Sequence, residues 1–260
     1  MIKVTHKEHH ERIGSKEDVI ILSGPPSSLN GLVTFHNESD EKILVRDLMV
    51  HTHKNQDVVL PVGVILQPRE VKAHLITYSM DPHTPPGRYE MTVQLGKTRK
   101  KILMVVHESM HIQLSPRKMV LNGIEGGQVH EKEVLFSNMG NIDLFVPSIR
   151  HGTIQDRDIT CRNLGLALRT DAEEGVEKTL DVFTRGIKKD LSDFVKISIK
   201  EAGEVVKPGQ AILLHIAMTV PKVLKKNYNY EGEFSFYYKA IRYQFIDKTP
   251  VENLQRQKSK

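Results

Sequence analysis

The sequence contains no tryptophan and a single cysteine, Cys161, among its 260 residues. One cysteine excludes an internal disulfide and any zinc site built from cysteines. The residues around it carry no signature of an activated thiol, so the sequence predicts a buried, structural Cys161. Aromatic residues make up only 6% of the chain. A hydrophobic core therefore has to be built mainly from Val, Ile, Leu and Met.

Long apolar runs are also missing. No segment approaches the roughly 20 residues that a membrane-spanning helix needs, and residues 1–10 lack the apolar stretch of a signal peptide. We therefore expect no membrane span. We expect a cytoplasmic protein if Met1 is the native start and an extracytoplasmic one if a signal peptide was removed. The net charge of +5 is spread along the chain rather than gathered in one stripe, which predicts no nucleic-acid partner.

No motif of a catalytic or cofactor site is present. The glycine-rich segment 123–127 lacks the Lys and Ser or Thr of a phosphate-binding loop and is typical of a turn between strands. His51 and His53 stand two apart on a predicted strand, so both would point to one face. No carboxylate-rich motif adjoins them. We predict a protein that is not an enzyme and binds no cofactor or metal; in the alternative of a metal site, His51 and His53 are the candidate ligands.

The first hundred residues instead carry a regular series of β-strand patterns. Val19–Leu22 is a short apolar run, and residues 71–77 alternate between apolar and polar. Pro61 and Gly63 predict that the strand over 58–66 is bent or lies at an edge. Dense turn signals, such as 85–87, separate these patterns. About eight short strands at this spacing indicate a β-sandwich.

The second half of the chain repeats the first. Residues 33–37 are echoed 101 positions later by 134–138, and residues 67–70 are echoed 140 positions later by 207–210. Because the offset grows between these matches, about 40 extra residues must be inserted in the second copy. Such a repeat predicts two tandem domains rather than one large one. The predicted layout is a flexible segment 1–17, a first domain 18–108, a second domain 109–248 with an insertion at about 150–195, and a basic tail 249–260.

The insertion carries a helical pattern. Its apolar residues recur every three or four positions and so share one face of a helix: Val176, Leu180, Phe183, Ile187 and Leu191. A capping box over 170–173 predicts that the helix starts there, while Gly186 disfavours it by about 1 kcal/mol. The apolar stripe packs either on its own sandwich or against a partner protein. Phe183 and Ile187 are the candidates for partner binding.

More than half of the aromatic residues fall between positions 228 and 245, in a predicted pair of strands. Along 233–238 successive side chains point to opposite faces, so that both faces carry aromatic rings. Filling the core is one interpretation, and an outward aromatic patch that anchors a partner is the other. The candidates for this contact are Tyr228, Tyr230, Tyr237 and Tyr243.

Several segments resemble a known class of domain. Phe35–Asp40 with the following strand, and Leu66–Glu70, resemble bacterial immunoglobulin-like domains, including those of the major-sperm-protein and pilus-chaperone type. Pro85–Val93 is similar to a stretch of prokaryotic tandem immunoglobulin-like proteins. The resemblance implies an all-β fold of two tandem immunoglobulin-like β-sandwiches, the second with a partly helical insertion. For the pilus-chaperone type it also implies strand donation to a subunit.

These observations together predict a non-catalytic protein-binding or scaffolding subunit of a larger assembly. Its partners would be other protein subunits, with the chain itself an oligomer or filament component, since sheet edges and exposed anchors are natural docking sites. The alternatives are a chaperone-like protein that binds clients by strand addition and a carbohydrate-binding β-sandwich.

Overall fold

A computed structural model describes residues 12–52, 57–95, 98–170, 175–190, 193–225 and 228–246. The elements in chain order are β1 (Ile13–Ser15), β2 (Val19–Gly24), β3 (Leu29–Asn37), β4 (Ile43–Thr52), β5 (Asp57–Leu66), β6 (Val71–Tyr78), β7 (Gly87–Leu95), β8 (Thr98–Val106), β9 (Ile112–Ser115), β10 (Lys118–Asn122), β11 (Val129–Asn138), β12 (Leu144–Phe145), β13 (His151–Asp156), α1 (Ile159–Thr170), α2 (Val176–Asp190), β14 (Asp193–Ile199), β15 (Val205–Val206), β16 (Ala211–Thr219), β17 (Tyr230–Phe236) and β18 (Lys239–Ile246). The predicted basic tail lies outside the described residues.

The chain divides into two compact units. One unit contains residues 1–112, 138–144 and 207–210, and the other contains the remaining residues. β1 lies inside the segment that the sequence predicts to be flexible. Ile13 on this strand is buried and pairs with Asn37 of β3. Residues 13–15 therefore belong to the first sandwich.

The first eight strands form a two-layered sandwich. In one layer β3 pairs with β6 on one side and with β1 and β2 on the other. The second layer has the order β2-β8-β7-β4-β5. β2 belongs to both layers because it pairs with β3 and also runs parallel to β8. Successive side chains of a strand point to opposite faces, so that every second one lies between the layers. On β2, Ile20 and Leu22 are buried, whereas Val19 and Ile21 face outward.

The bend predicted for β5 is confirmed. The pairing of β4 with β5 is irregular between Val45 and Asp47. Gly63 lies opposite this irregularity with a φ of 69°, a conformation that glycine adopts without strain. β5 is also the last strand of the hydrogen-bonded order, which suits Pro61 because proline cannot donate to a central ladder.

The second sandwich has the strand order β10-β18-β17-β13-β14-β16-β11-β9. β10 runs parallel to β18, as β2 runs parallel to β8 in the first copy. β14 pairs with β13 through residues 193–196 and with β16 through residues 196–199. A single strand thus crosses from one layer to the other. β12 and β15 form a separate two-stranded sheet.

The two copies share the strand order of immunoglobulin-like sandwiches: β2-β8-β7-β4-β5 in the first corresponds to β10-β18-β17-β13-β14 in the second, with a parallel pair, β2 with β8 and β10 with β18, at the start of each. The fold is therefore two tandem immunoglobulin-like β-sandwiches. α1 and α2 both lie between β13 and β14. In the first copy the corresponding strands, β4 and β5, are separated by four residues. The helical insertion thus replaces one short connection of an otherwise repeated sandwich.

The repeat holds at the level of single hydrogen bonds. The buried side chain of Asn37 donates to the carbonyl of Glu41, four residues on, and accepts from the amide of Ser39, two residues on. The buried side chain of Asn138 donates to the carbonyl of Ile142 and accepts from the amide of Gly140, at the same two offsets. Each asparagine therefore closes the same turn, because its side chain satisfies backbone groups that no strand pairs with.

Neither helix in the part of the chain that the structure describes has the length and apolar character needed to cross a bilayer.

Candidate protein-binding surface

Two of the predicted contact residues, Tyr230 and Tyr243, belong to the core. Tyr243 is 0% exposed and Tyr230 is 8% exposed, so neither is available to a partner and that part of the prediction is wrong. The ring of Tyr243 fits between its neighbours because Gly152 on β13 and Gly232 on β17 lack side chains. Its hydroxyl donates to the carbonyl of Thr153. Burial, with a smaller contribution from the negative charge of Glu233, raises the pKa of Tyr243.

Tyr237 lies at a turn rather than on a strand. β17 ends at Phe236, so the predicted alternation through 233–238 stops there. Tyr237 has a φ of 54°, and its hydroxyl donates to the carbonyl of Phe145. Its ring stacks on Phe136 at 6.4 Å between centroids. Tyr237 is only partly exposed, whereas the next residue, Tyr238, is 51% exposed.

Tyr228 takes part in a cluster that holds the insertion to the sandwich. The guanidinium of Arg162 on α1 pairs with the buried carboxylate of Asp156 at the end of β13. The same guanidinium lies 3.8 Å from the centre of the Tyr228 ring, and Tyr228 stacks on Tyr230 at 6.5 Å. A planar cation over an aromatic face is stabilising, more so when partly shielded from water. These contacts fasten the start of α1 to the strands below it.

The insertion contains two helices where the sequence predicts one. α2 begins at Val176 rather than at the capping box, most of which lies outside the described residues. α1 has no counterpart in the prediction. Its leucines Leu164, Leu166 and Leu168 alternate as they would on a strand, and Gly165 further weakens the helical signal.

The two helices pack closely through small side chains. A Cβ atom on Gly186 of α2 would collide with the side chain of Asn163 on α1, whose Cγ would lie 2.9 Å away. Asn163 is buried and donates to the carbonyl of Ile159. Ala167, one turn further along α1, is 0% exposed. The glycine that disfavours α2 by itself is therefore what lets α1 approach it. We call this pair the helical hairpin.

Both helices carry apolar residues on the same side of the helical hairpin. Leu164 and Leu168 follow Asn163 and Ala167 by one position, so they lie about 100° around α1 from the contact between the helices. Ile187 follows Gly186 by one position on α2. The helices are joined by five residues and run antiparallel. Leu164 and Leu168 on α1 and Ile187 on α2 therefore lie on the same side of the helical hairpin. We call the resulting surface the apolar hairpin face; its members are Leu164, Leu168, Val176, Leu180, Phe183 and Ile187.

Most of the apolar hairpin face is open to solvent. Val176 is 76% exposed, Leu180 54%, Leu168 53% and Leu164 42%. Phe183 and Ile187 are partly buried. Packing on its own sandwich was one of the two alternatives predicted for the stripe on α2. The exposed side chains show that the stripe does not pack on the sandwich along its whole length. Four leucine and valine side chains exposed on one face are what a partner-binding surface requires.

Two further predictions from the sequence concern a cysteine and a pair of histidines. Cys161 on α1 is exposed, so the prediction of a buried cysteine is wrong; the side chain lies outside the contact between the helices. His51 lies on β4 and is partly buried, while His53 lies outside the described residues. Within the described ranges no three His, Cys, Asp or Glu side chains come together as a metal site.

A groove of about 580 Å³ lies on the face formed by β11, β14 and β16. His215, which lines the groove, donates hydrogen bonds from its backbone amide and its ring to Glu201, at 2.8 and 2.6 Å. Burial raises the pKa of Glu201, but the hydrogen bonds from His215 outweigh it and the net effect is a lowered pKa. The pair holds the chain beyond β14 against β16. No local pattern indicates this pair, since the two residues are 14 positions apart.

Comparison with known proteins identifies no family. No family model matches this chain, and no curated protein matches it significantly. Similar solved structures include domains 4 and 5 of the S-layer protein SbsC, with 10% identity, 90% of this chain and 95% of that chain covered, and a TM-score of 0.25. A fragment of titin has 10% identity, 90% of this chain and 99% of that chain covered, and a TM-score of 0.28. The YadV chaperone has 11% identity, 90% and 98% coverage and a TM-score of 0.25.

Proposed function

We propose that this chain is a non-catalytic structural subunit of a protein assembly and that the helical hairpin is its point of attachment. The observation that carries the proposal is the apolar hairpin face, where Leu168, Val176 and Leu180 are each more than half exposed. Burying such side chains against a partner yields about 25 cal/mol for each Å² removed from water.

The position of the helical hairpin supports this role. It replaces a four-residue connection of the repeated sandwich, so the sandwich does not need it to complete its strand order. Its base is fastened by Arg162 and Asp156. A rigid scaffold that presents a fastened, apolar insertion is a common arrangement for binding proteins, because little order has to be gained on binding.

The test is affinity capture from the native source with the tagged full chain. The variant L168K/L180K places two charges on the apolar hairpin face while keeping residues with high helix propensity. The matched control is L75K/V223K, which changes residues that are 58% and 68% exposed elsewhere in the molecule. We expect a defined set of proteins at fixed stoichiometry with the unmodified chain and the control, and loss of that set with L168K/L180K.

Recovery that is equal for all three proteins would contradict attachment through the helical hairpin. Recovery of many clients in small amounts would instead favour a chaperone-like role. Circular dichroism of each variant ensures that loss of capture is not loss of folding.

A further inference from the structure

We infer that the partner of the apolar hairpin face is a second copy of this chain, which completes a four-helix bundle with it. This inference rests on the proposed function, because it names the occupant of the same surface. Three observations carry it: the spacing of the apolar residues on α2, the charges beside them, and the placement of α1.

The apolar stripe on α2 reads the same in both directions. Val176, Leu180, Phe183 and Ile187 are separated by 4, 3 and 4 positions. When a second α2 lies antiparallel on the first, Val176 faces the second copy's Ile187 and Leu180 faces its Phe183. A two-fold axis that lies between the two α2 helices, perpendicular to them and level with the middle of the stripe, therefore matches each apolar side chain with another. Such self-complementarity is what an isologous dimer interface requires.

The charges beside this stripe are complementary under the same operation. Glu177 and Lys188 lie on the flank of α2 that points away from α1, and both side chains are exposed. They stand near opposite ends of the helix. In the antiparallel pair each Glu177 comes within two residues, about 3 Å along the helix axis, of Lys188 of the second copy, on the same side of the bundle. A parallel pairing would place like charges together at both ends, which is unfavourable.

α1 fits the same arrangement. Leu164 and Leu168 lie on the side of the hairpin that carries the stripe, so the two-fold axis also brings them toward the α1 helix of the second copy. The two hairpins then contribute two helices each to one apolar core, the geometry of antiparallel four-helix bundles. Small residues at the contact between α1 and α2, Gly186 and Ala167, permit the close helix spacing that such a bundle needs.

The size of the apolar hairpin face determines how tightly we expect the dimer to associate. α1 and α2 have 12 and 15 residues, which makes them about 18 and 22 Å long. Two such faces would bury about 1,000 Å² in total, the low end for a specific interface. We therefore expect a dimer that dissociates on dilution in the micromolar range rather than an obligate one.

The experiment is sedimentation equilibrium of the purified full chain across a concentration series. We expect the unmodified chain and the L75K/V223K control to dimerise, and L168K/L180K to dimerise at least tenfold more weakly. E177K alone and K188E alone should each weaken dimerisation severalfold, because each places like charges close to one another. An equimolar mixture of E177K and K188E should form a heterodimer. In that heterodimer the side chains at positions 177 and 188 of the two chains carry opposite charges at both contacts.

Two results would overturn the inference. One is a monomer at all concentrations; the other is a dimer that L168K/L180K leaves unchanged. A purified monomer together with capture from the native source that depends on the hairpin would refute the second copy as partner and leave the proposed function standing. A hairpin-dependent dimer that captures nothing beyond itself would limit the assembly to copies of this chain.

Discussion

Tyr243 and Gly232 pair across β17 and β18, and the ring of the tyrosine occupies the space that a side chain on the glycine would take. A Cβ atom at position 232 would lie 2.7 Å from the Tyr243 ring and would also collide with the backbone carbonyl of Thr153. The aromatic richness of the last two strands therefore serves the interior of the second sandwich.

The first prediction concerns this contact. We expect G232A to lower the free energy of unfolding by about 3 kcal/mol, because a backbone atom cannot move aside as a side chain does. Y243F should cost about 1 kcal/mol through the lost hydrogen bond to Thr153. Urea denaturation measures both. Y238F, at an exposed ring, is the control and should cost less than Y243F, because water replaces what an exposed hydroxyl loses; equal effects of Y238F and Y243F would contradict the buried role of Tyr243.

The second prediction concerns the repeated asparagines. N37A and N138A should each lower the free energy of unfolding by about 2 kcal/mol or more, because each leaves buried backbone groups without partners. N30A is the control, since the Asn30 side chain is exposed and its bonds to Ser28 and to the hydroxyl of Thr77 lie at the surface, where water replaces them. A change below about 0.5 kcal/mol at either buried asparagine would refute the equivalence of the two turns. Chemical denaturation again provides the measurement.

The third prediction separates helix propensity from helix packing. G186A should destabilise the helical hairpin by about 1–2 kcal/mol, because the overpacking against Asn163 exceeds the gain in helix propensity. G165A is the matched control: a Cβ there meets nothing within 4 Å, so it should stabilise α1 by up to about 1 kcal/mol. Hydrogen exchange of the α1 and α2 amides distinguishes the two. Stabilisation by both substitutions would show that α1 and α2 are not in close contact.

The fourth prediction is a pH dependence. The pKa of Glu201 is lowered in the folded chain, so its ionised form is favoured by folding. Its contribution is therefore complete above the ordinary glutamate pKa of about 4.3 and is lost as the pH falls through the lower folded value. E201Q should cost about 1–2 kcal/mol at pH 7.

The difference between E201Q and the unmodified chain should shrink toward pH 3. E204Q, at an exposed neighbouring position, serves as the control. A cost for E201Q that does not change between pH 7 and pH 3 would mean that its charge does not stabilise the fold. Guanidinium denaturation at a series of pH values measures the effect.

The repeated strand order and the insertion could be predicted because they depend on local signals. Residues 33–37 and 134–138 carry the same turn chemistry, and Pro61 and Gly63 mark a bend that β5 indeed has. Such signals lie within a few residues of the feature that they describe.

What could not be predicted depends on contacts between distant residues. Tyr243 is buried because Gly152 and Gly232, on other strands, leave room for it, and nothing near position 243 shows this. α1 was missed because its leucines alternate as in a strand and its stability comes from packing on α2, which single-sequence periodicity does not register. The exposure of Cys161 follows from the same unrecognised helix.

The crossing strand β14 also bears on how the second sandwich folds. Its pairing with β13 closes over 36 residues, 157–192, whereas the equivalent pairing in the first sandwich closes over four. For a flexible chain this ninefold longer loop adds about 2 kcal/mol of closure entropy. Packing of α1 on α2 brings the two ends of this loop together and removes much of that penalty. Before the helices have packed, the penalty remains. We therefore expect the second sandwich to fold more slowly than the first, at a rate set by the packing of α1 on α2.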